Sequence, residues 1–317
     1  MNDLIFIALS TFAADDKRPL ELLKASKYPF KIHNTGKRIT PEELLRDGMG
    51  ASVIVAGIET YNEQVLKKLI GLKCISRCGV GVDAIDLNYA RINNICIANT
   101  PMVPVQAVAE LAITMFLSLS RNIRQQSNLM QAKRWERITA HLLSGRTVGL
   151  IGFGRIGQRV AQLCNAFGAK VLAFDPFAEK RLESKLNISF VTMEQLLSQS
   201  DIVSIHASKV SNNPVVIASE QIALMKDGVI LVNLSRGEMV DEQALINALN
   251  SGKISGAGLD VFSKEPYQGS LCDFDQVILT PHSATLTYET RSEMEIQCVE
   301  NAISFLNGKL NSERQVI

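Results

Sequence analysis

Several things are scarce or missing in this 317-residue sequence, and each absence excludes a class of protein. No apolar run is long enough for a bilayer, which takes ~18 consecutive apolar residues. The longest candidate, Leu111 to Leu119, is half that length and is flanked by Glu110 and Arg121. The first residues, Met1-Asn2-Asp3, lack the basic start of a signal peptide. Neither sign of charge is in excess: 33 Lys and Arg stand against 32 Asp and Glu, a formal charge of +1. That balance argues against a nucleic-acid binder or a polybasic membrane protein. The six cysteines (Cys74, Cys78, Cys96, Cys164, Cys272, Cys298) include no Cys-x-x-Cys pair, and the four histidines no His-x-x-x-His. A metal centre is therefore not expected, and the thiols read as free thiols of a reducing cytoplasm. Internal repeats and low-complexity tracts are missing as well.

What is present is a chain with 46% apolar residues, ample for a buried core, and a length that predicts about two domains. Short apolar runs alternate with amphipathic stretches. Strand-like runs are Ile5–Leu9, Val53–Ala56, Cys74–Ser76, Cys96–Ala98, Val148–Ile151, Val171–Phe174, Ile202–Ile205, Val229–Val232, Ala257–Val261 and Val277–Leu279. Helical spacing appears in Asn62–Ile70, Ile156–Phe167, Met193–Ser198 and Glu242–Leu249, and a long helical run is expected from Val105 to about Trp135. Alternation of this kind with continuous apolar strands predicts an α/β fold of parallel sheets covered on both faces. Punctuation at Asn99-Thr100-Pro101 and at Thr280-Pro281-His282 divides the chain. The expected organisation is two Rossmann-like, doubly wound domains with a cleft between them. Residues 1–99 plus 288–317 form one, and residues 100–287 form the nucleotide domain.

Gly152-Phe153-Gly154-Arg155-Ile156-Gly157 matches G-x-G-x-x-G between a strand and a helix. The first glycine permits the tight turn, the second lets backbone approach a pyrophosphate, and the third lets helix and strand pack closely. The helix N-terminus then presents free N–H groups and a positive dipole end to the phosphates. Asp175 closes the next strand, placed to accept from ribose hydroxyls and to repel a 2′-phosphate, so NAD is expected over NADP. Lys180 and Arg181, a few residues on, weaken that preference slightly.

Candidates for proton transfer are few. His33 and His141 have no motif and read as surface residues, whereas His206 and His282 each follow a strand at its ligand-facing end. Arg236 in Asn233-Leu234-Ser235-Arg236-Gly237, and Asp260 with Glu265 in Gly258 to Pro266, also lie at or beyond strand ends. An arginine, a carboxylate and a histidine so placed can converge in one crevice.

These motifs, in this order and spacing, resemble those of the D-isomer-specific 2-hydroxyacid dehydrogenases along nearly the whole chain, with a look closest to short 3-phosphoglycerate dehydrogenase-like members. The resemblance implies that Arg236 binds the substrate carboxylate, His282 is the general base, and Glu265 orients His282. It implies that Asp260 holds the nicotinamide amide, with Leu234 and Ser235 lining the same face, and that Arg155 and Ile156 contact the pyrophosphate. Arg77-Cys78-Gly79-Val80-Gly81-Val82-Asp83 is similar to the family's substrate loop, where N–H groups at Val80 and Gly81 receive a carboxylate. The family's His-x-Pro-Leu-Thr is replaced by His206-Ala207-Ser208-Lys209-Val210, and Ser283 to Thr287 replaces a loop richer in glycine and alanine.

Arg77 and Trp135-Glu136-Arg137 resemble the phosphoglycerate dehydrogenases, so D-3-phosphoglycerate is the expected substrate. Ala56 stands where that subgroup would place another phosphate-facing arginine, which leaves hydroxypyruvate, glyoxylate or D-lactate chemistry as alternatives. At this length a C-terminal regulatory domain, and feedback through it, is not expected. An NAD-sensing protein like the transcriptional corepressors of this fold is the alternative of another class. Val108, Leu111, Ala112, Met115, Phe116 and Leu119 form a broad apolar band, read either as core or as the interface of a homodimer that the resemblance favours.

Overall fold

A computed structural model describes residues 3–33, 35–207 and 215–317. Its contacts divide the chain into unit 1, Met1–Pro104 with Leu286–Ile317, and unit 2, Val105–Thr285. In unit 1 the elements run β1 (Leu4–Ile7), α1 (Arg18–Ala25), β2 (Phe30–Ile32), α2 (Pro41–Asp47), β3 (Ala51–Ala56), α3 (Glu63–Leu66), β4 (Cys74–Arg77), α4 (Leu87–Ile92) and β5 (Cys96–Ala98). Unit 2 contributes α5 (Pro104–Ser120), α6 (Ile123–Gln131), β6 (Thr147–Ile151), α7 (Arg155–Ala166), β7 (Lys170–Phe174), α8 (Leu182–Leu186), β8 (Ser189–Phe190), α9 (Met193–Gln199), β9 (Ile202–Ile205), α10 (Ser219–Leu224), β10 (Val229–Asn233), α11 (Glu242–Ser251), β11 (Ile254–Leu259) and β12 (Val277–Leu279). The last helix, α12 (Tyr288–Leu306), returns to unit 1.

Both sheets are parallel, and the inner strands β3, β9 and β10 are covered on both faces and buried along their whole length, whereas the edge strands β2 and β8 are partly exposed. In unit 1 the order is β2-β1-β3-β4-β5. Phe6, Ile54 and Ile75 pack on one face; Ile5, Val53 and Cys74 face α12, with Met294, Cys298 and Val299. In unit 2 the order is β12-β11-β10-β9-β6-β7-β8, and the direction of winding reverses between β6 and β9. Ligands bind outside the carboxyl ends of strands at such a reversal.

Local chemistry sets the helix ends. Asp241 accepts from Ala244 N–H (2.9 Å) to start α11, Gly252 stops it in a left-handed conformation, and Ala244, Leu245, Ala248 and Leu249 bury the apolar stripe. The expected long helix from Val105 is two helices. Asn122, with φ +50°, breaks it after Ser120, since asparagine tolerates the left-handed region that most side chains avoid. Trp135 lies beyond α6 in irregular backbone. Strands β2 and β8 and helices α1, α2, α4, α8 and α10 were not expected; β2 and β8 are very short, which leaves little periodicity to read. The expected strand through Val261 ends at Leu259, so Asp260 lies just past it.

His33 corrects a sequence expectation: it is 6% exposed, not a surface residue, with its ring 3.1 Å from Thr35 Oγ1. Of the α5 band, Val108, Ala112, Met115, Phe116 and Leu119 are buried in unit 2's own core and Leu111 is partly buried against it. Among the described residues no helix is long and apolar enough to cross a membrane. All six cysteines are free, even Cys74 and Cys96, which face each other across β4 and β5.

Candidate active site

The glycine-rich turn follows β6 and opens α7. Gly152 has φ +92°, and a side chain there would collide with the Ala207 backbone; one at Gly157 would collide with the Gly152 carbonyl. Gly154 differs. A Cβ on it would meet nothing within 4 Å, and as N-cap of α7 it offers no side chain to the first-turn N–H groups. Those donors therefore face open space, with Arg155 exposed and Ile156 half-buried beside them. This cradle fits a pyrophosphate.

Asp175 follows β7 and fixes the turn: its Oδ2 accepts from Phe153 N–H (2.7 Å) and its Oδ1 from Phe177 N–H (2.8 Å). Each carboxylate oxygen has a second acceptor position left for a ribose hydroxyl. Arg181 is paired with Glu179 at 2.5 Å. His206 follows β9 with its Nε2 2.9 Å from Ser204 Oγ, and burial pushes its pKa down to about 4. A neutral, half-buried imidazole suits a wall of the site better than a charge carrier. Of the segment departing from the family pattern, Ser208, Lys209 and Val210 lie outside the described residues.

At the carboxyl ends of β10, β11 and β12, side chains tie three loops together. Asn233 accepts from Ser235 N–H (3.0 Å) and donates to the Arg236 carbonyl (2.8 Å), which shapes the turn carrying Arg236. The Arg236 guanidinium donates to the Ser235 carbonyl (2.7 Å). Gly237 packs so close to the backbone of Phe262 and Ser263 that no side chain fits. Ser235 spends its hydroxyl on the Ile205 carbonyl (3.0 Å), and Leu234 is buried in the core.

Asp260 is 1% exposed and its carboxylate is directed at the loop after β12. It accepts from Thr280 Oγ1 (2.6 Å), Ser283 N–H (2.8 Å) and Ala284 N–H (2.9 Å). That grip holds His282 at the loop's apex in a left-handed conformation, φ +52°. Glu265 accepts from Phe262 N–H through Oε1 (3.1 Å), and its Oε2 lies 2.9 Å from His282 Nδ1. A carboxylate only accepts, so Nδ1 carries the hydrogen and Nε2 is left with a lone pair for a proton. Arg236, Asp260, Glu265 and His282 thus all belong to unit 2. Asn233, Thr280 and the N–H groups of Ser283 and Ala284 are positioning groups that the sequence reading does not single out; the place of Asn233 in the same motif as Arg236, three residues before it, is the one available signal.

Arg77, Val80 and Gly81 belong to unit 1: Arg77 is the last residue of β4, and Val80 and Gly81 lie in the loop after it. The Arg77 guanidinium donates to the Cys78 carbonyl and lies over Gly79. Thr100 accepts from Gly79 N–H (2.9 Å), and Asn99 donates to the Val80 carbonyl (2.8 Å), so β5's end holds this loop. Val80 is exposed and Gly81 half-buried.

A parallel sheet with a glycine cradle at its winding reversal, and a carboxylate-oriented histidine and an arginine beyond strand ends on the same edge, define a nucleotide-dependent oxidoreductase domain. Comparison with known proteins is more specific. The profile of the D-isomer specific 2-hydroxyacid dehydrogenase NAD binding domain matches residues 113–284. The chain belongs to that family. It is 35% identical to a hydroxypyruvate reductase of Thermotoga maritima over 90% of this chain and 94% of that protein. It is 36% identical to a D-3-phosphoglycerate dehydrogenase of Archaeoglobus fulgidus over 84% of this chain but only 52% of that protein, so it spans about half the length of such relatives. A D-lactate dehydrogenase from Aquifex aeolicus, solved with NAD and lactic acid, superposes with a TM-score of 0.87 at 30% identity, covering 99% of each chain.

Proposed function

We propose that the protein interconverts a D-2-hydroxy acid and its 2-oxo acid with NAD. The observation that carries this reading is the His282–Glu265 pair at 2.9 Å, on a loop after β12 fixed by Asp260, with Arg236 after β10 on the other side of β11. Bound NAD supplies the acceptor for the hydride that leaves C2. His282 Nε2 takes the proton of the C2 hydroxyl as that hydride departs, and returns it in the reverse direction. Glu265 holds the tautomer and stabilises the imidazolium. Arg236 pairs with the substrate carboxylate and polarises the C2 oxygen. The N–H groups of Val80 and Gly81 add to the carboxylate's binding, which makes residues 1–99 and 288–317 the substrate domain and residues 100–287 the NAD domain. Gly152, Gly154, Arg155, Ile156 and Gly157 cradle the pyrophosphate, Asp175 the ribose, and Leu234 and Ser235 shape the wall beside the nicotinamide. Asp260 holds the nicotinamide amide in this scheme, with the acceptor position Oδ2 keeps beside its bond from Ala284 N–H, and it also fixes the His282 loop.

Arg77 and Trp135–Arg137 point to D-3-phosphoglycerate as substrate. Reduction of an unphosphorylated acid is the second reading, favoured because the relative matched over nearly its full length is a hydroxypyruvate reductase. A homodimer is proposed to form on the exposed apolar groups Ile123, Met130, Trp135 and Leu142, the α5 band itself being core. Six free thiols support a reducing, cytoplasmic setting.

The test is NADH oxidation against a panel of 2-oxo acids, with chiral analysis of the product. A D-hydroxy acid product supports the reading. NADH binding without reduction of any acid would replace it with the sensor alternative.

A further inference from the structure

Unit 1 has its own winding reversal. In the order β2-β1-β3-β4-β5 the chain leaves β1 for β2 on one side and continues through β3 on the other. The crevice outside the carboxyl ends of β1 and β3 is therefore where a ligand of unit 1 belongs. Glu59, in the loop after β3, stands there. It is only 7% exposed, an unusual place for a carboxylate. Its Oε1 accepts from both Gly57 N–H (2.7 Å) and the Tyr61 hydroxyl (2.7 Å), and Tyr61 is itself fully buried. Its Oε2 has no hydrogen-bond partner among the described residues. That oxygen lies over Gly57 and toward β1: a Cβ on Gly57 would come within 2.9 Å of it and within 3.3 Å of the Leu9 side chain. The loop of Glu59 also runs alongside the Arg77–Asp83 loop, because Cys78 N–H bonds the Ala56 carbonyl (2.8 Å) and Tyr61 N–H bonds the Ala84 carbonyl (2.7 Å).

We propose that Glu59 determines substrate specificity: Oε2 accepts a hydrogen bond from a hydroxyl on C3 of the substrate and turns away a phosphate at the same position. This rests on the reading of unit 1 as the substrate domain and on the second of the two substrate readings above, reduction of an unphosphorylated acid, against the first. Oε2 is open to solvent although the rest of the side chain is buried, so a hydroxyl entering the crevice can reach it and donate to it. A phosphate ester has no donor to offer in its ionised form and adds two negative charges beside a third. Ala56 at the end of β3 brings no cation to offset them, and the neighbouring cations, Arg38 and Arg77, donate to the Ile58 and Cys78 carbonyls. The substrate class is thus a short, unphosphorylated 3-hydroxy-2-oxo acid, of which hydroxypyruvate is the simplest.

The experiment compares kcat/KM for hydroxypyruvate, pyruvate and 3-phosphohydroxypyruvate with NADH, in the intact protein and in Glu59→Gln. Hydroxypyruvate is expected to exceed each of the other two by at least about tenfold, since a site built for a hydroxyl rejects analogues lacking it. Glutamine keeps an acceptor for Gly57 and Tyr61 but carries no charge and presents an amide donor where Oε2 stood. The ratio of phosphorylated to hydroxylated substrate is therefore expected to rise about tenfold in Glu59→Gln. Preference of the unaltered protein for 3-phosphohydroxypyruvate or pyruvate overturns the proposal, as does an unchanged ratio in the variant. Silence on all three acids, and on glyoxylate and 2-oxoglutarate, overturns the dehydrogenase reading and this proposal with it.

Discussion

The carboxyl edges of the two sheets are built in different ways. In unit 2, side chains tie one loop to the next: Asn233 shapes the Arg236 turn, Asp260 grips the His282 loop, Glu265 faces His282, and Asp175 holds the glycine turn. In unit 1 the loops after β3 and β4 are joined mainly by backbone bonds, Cys78 to Ala56 and Tyr61 to Ala84, with Glu59 the buried carboxylate between them. The first design holds reacting groups still. The second leaves a surface whose selectivity rests on very few side chains. Changes at unit 2's edge should therefore act on turnover or cofactor choice, and changes at unit 1's edge on which acid is accepted.

The largest effect is expected at His282. His282→Ala should lower kcat by about 10²–10⁴-fold, the usual contribution of a positioned general base, while NADH fluorescence still reports binding. Turnover close to that of the unaltered protein would remove His282 from the mechanism and blur the contrast. Next comes Arg236→Gln, for which KM for the 2-oxo acid should rise about 10–100-fold as a charge-assisted pair is lost. If KM stays put and only cofactor affinity falls, Arg236 is not the carboxylate ligand.

What the sequence revealed follows the same division. Unit 2's motifs were legible because chemistry demands particular residue types at particular strand ends, and a glycine turn, an Asn-x-Ser-Arg-Gly or a Pro-His carries that demand openly. Asp260 was legible as a functional position but not in its geometry, since only the folded loop shows its carboxylate taking the N–H groups of Ser283 and Ala284. Glu59 left no trace. A lone acid among small residues reads as solvated surface until Tyr61 and Gly57 are seen to close over it. The break of the α5–α6 run at Asn122 was hidden for another reason. A single left-handed residue changes the direction of a helix without changing its apolar period.

Smaller effects sharpen the comparison within unit 2. Asp175→Ala should shift the NADH-to-NADPH preference by about tenfold, the worth of one charge-assisted hydrogen bond to the ribose. An unaltered ratio would hand that role to another residue. The smallest effect concerns pH. His206 has a folded pKa near 4 against 6.5 for the ordinary group, so the unfolded chain binds its proton first as pH falls. Stability from this residue is present above pH 6.5 and declines toward pH 4. His206→Asn should reduce the loss of Tm between pH 7 and pH 5 by about 2 °C, measurable by calorimetry, and an identical loss in both proteins would count against the burial argument.

The return of α12 to unit 1 has a consequence for how the protein is made. The Ser76 hydroxyl donates to the Cys298 carbonyl (2.9 Å) and Ala13 N–H to Glu295 (2.8 Å), bonds that join residues 222 and 282 positions apart. The C-terminal residues also pair with β5, Val316 N–H to the Ile97 carbonyl at 2.7 Å. Residues 1–99 therefore lack one wall of their core until α12 and the residues after it have been made. Unit 2, uninterrupted in sequence, has all its strands in hand earlier. Synthesis runs from the N-terminus, yet completion runs the other way. During that interval the apolar face of β3 and β4 that α12 covers is bare, the kind of surface on which unfinished chains aggregate.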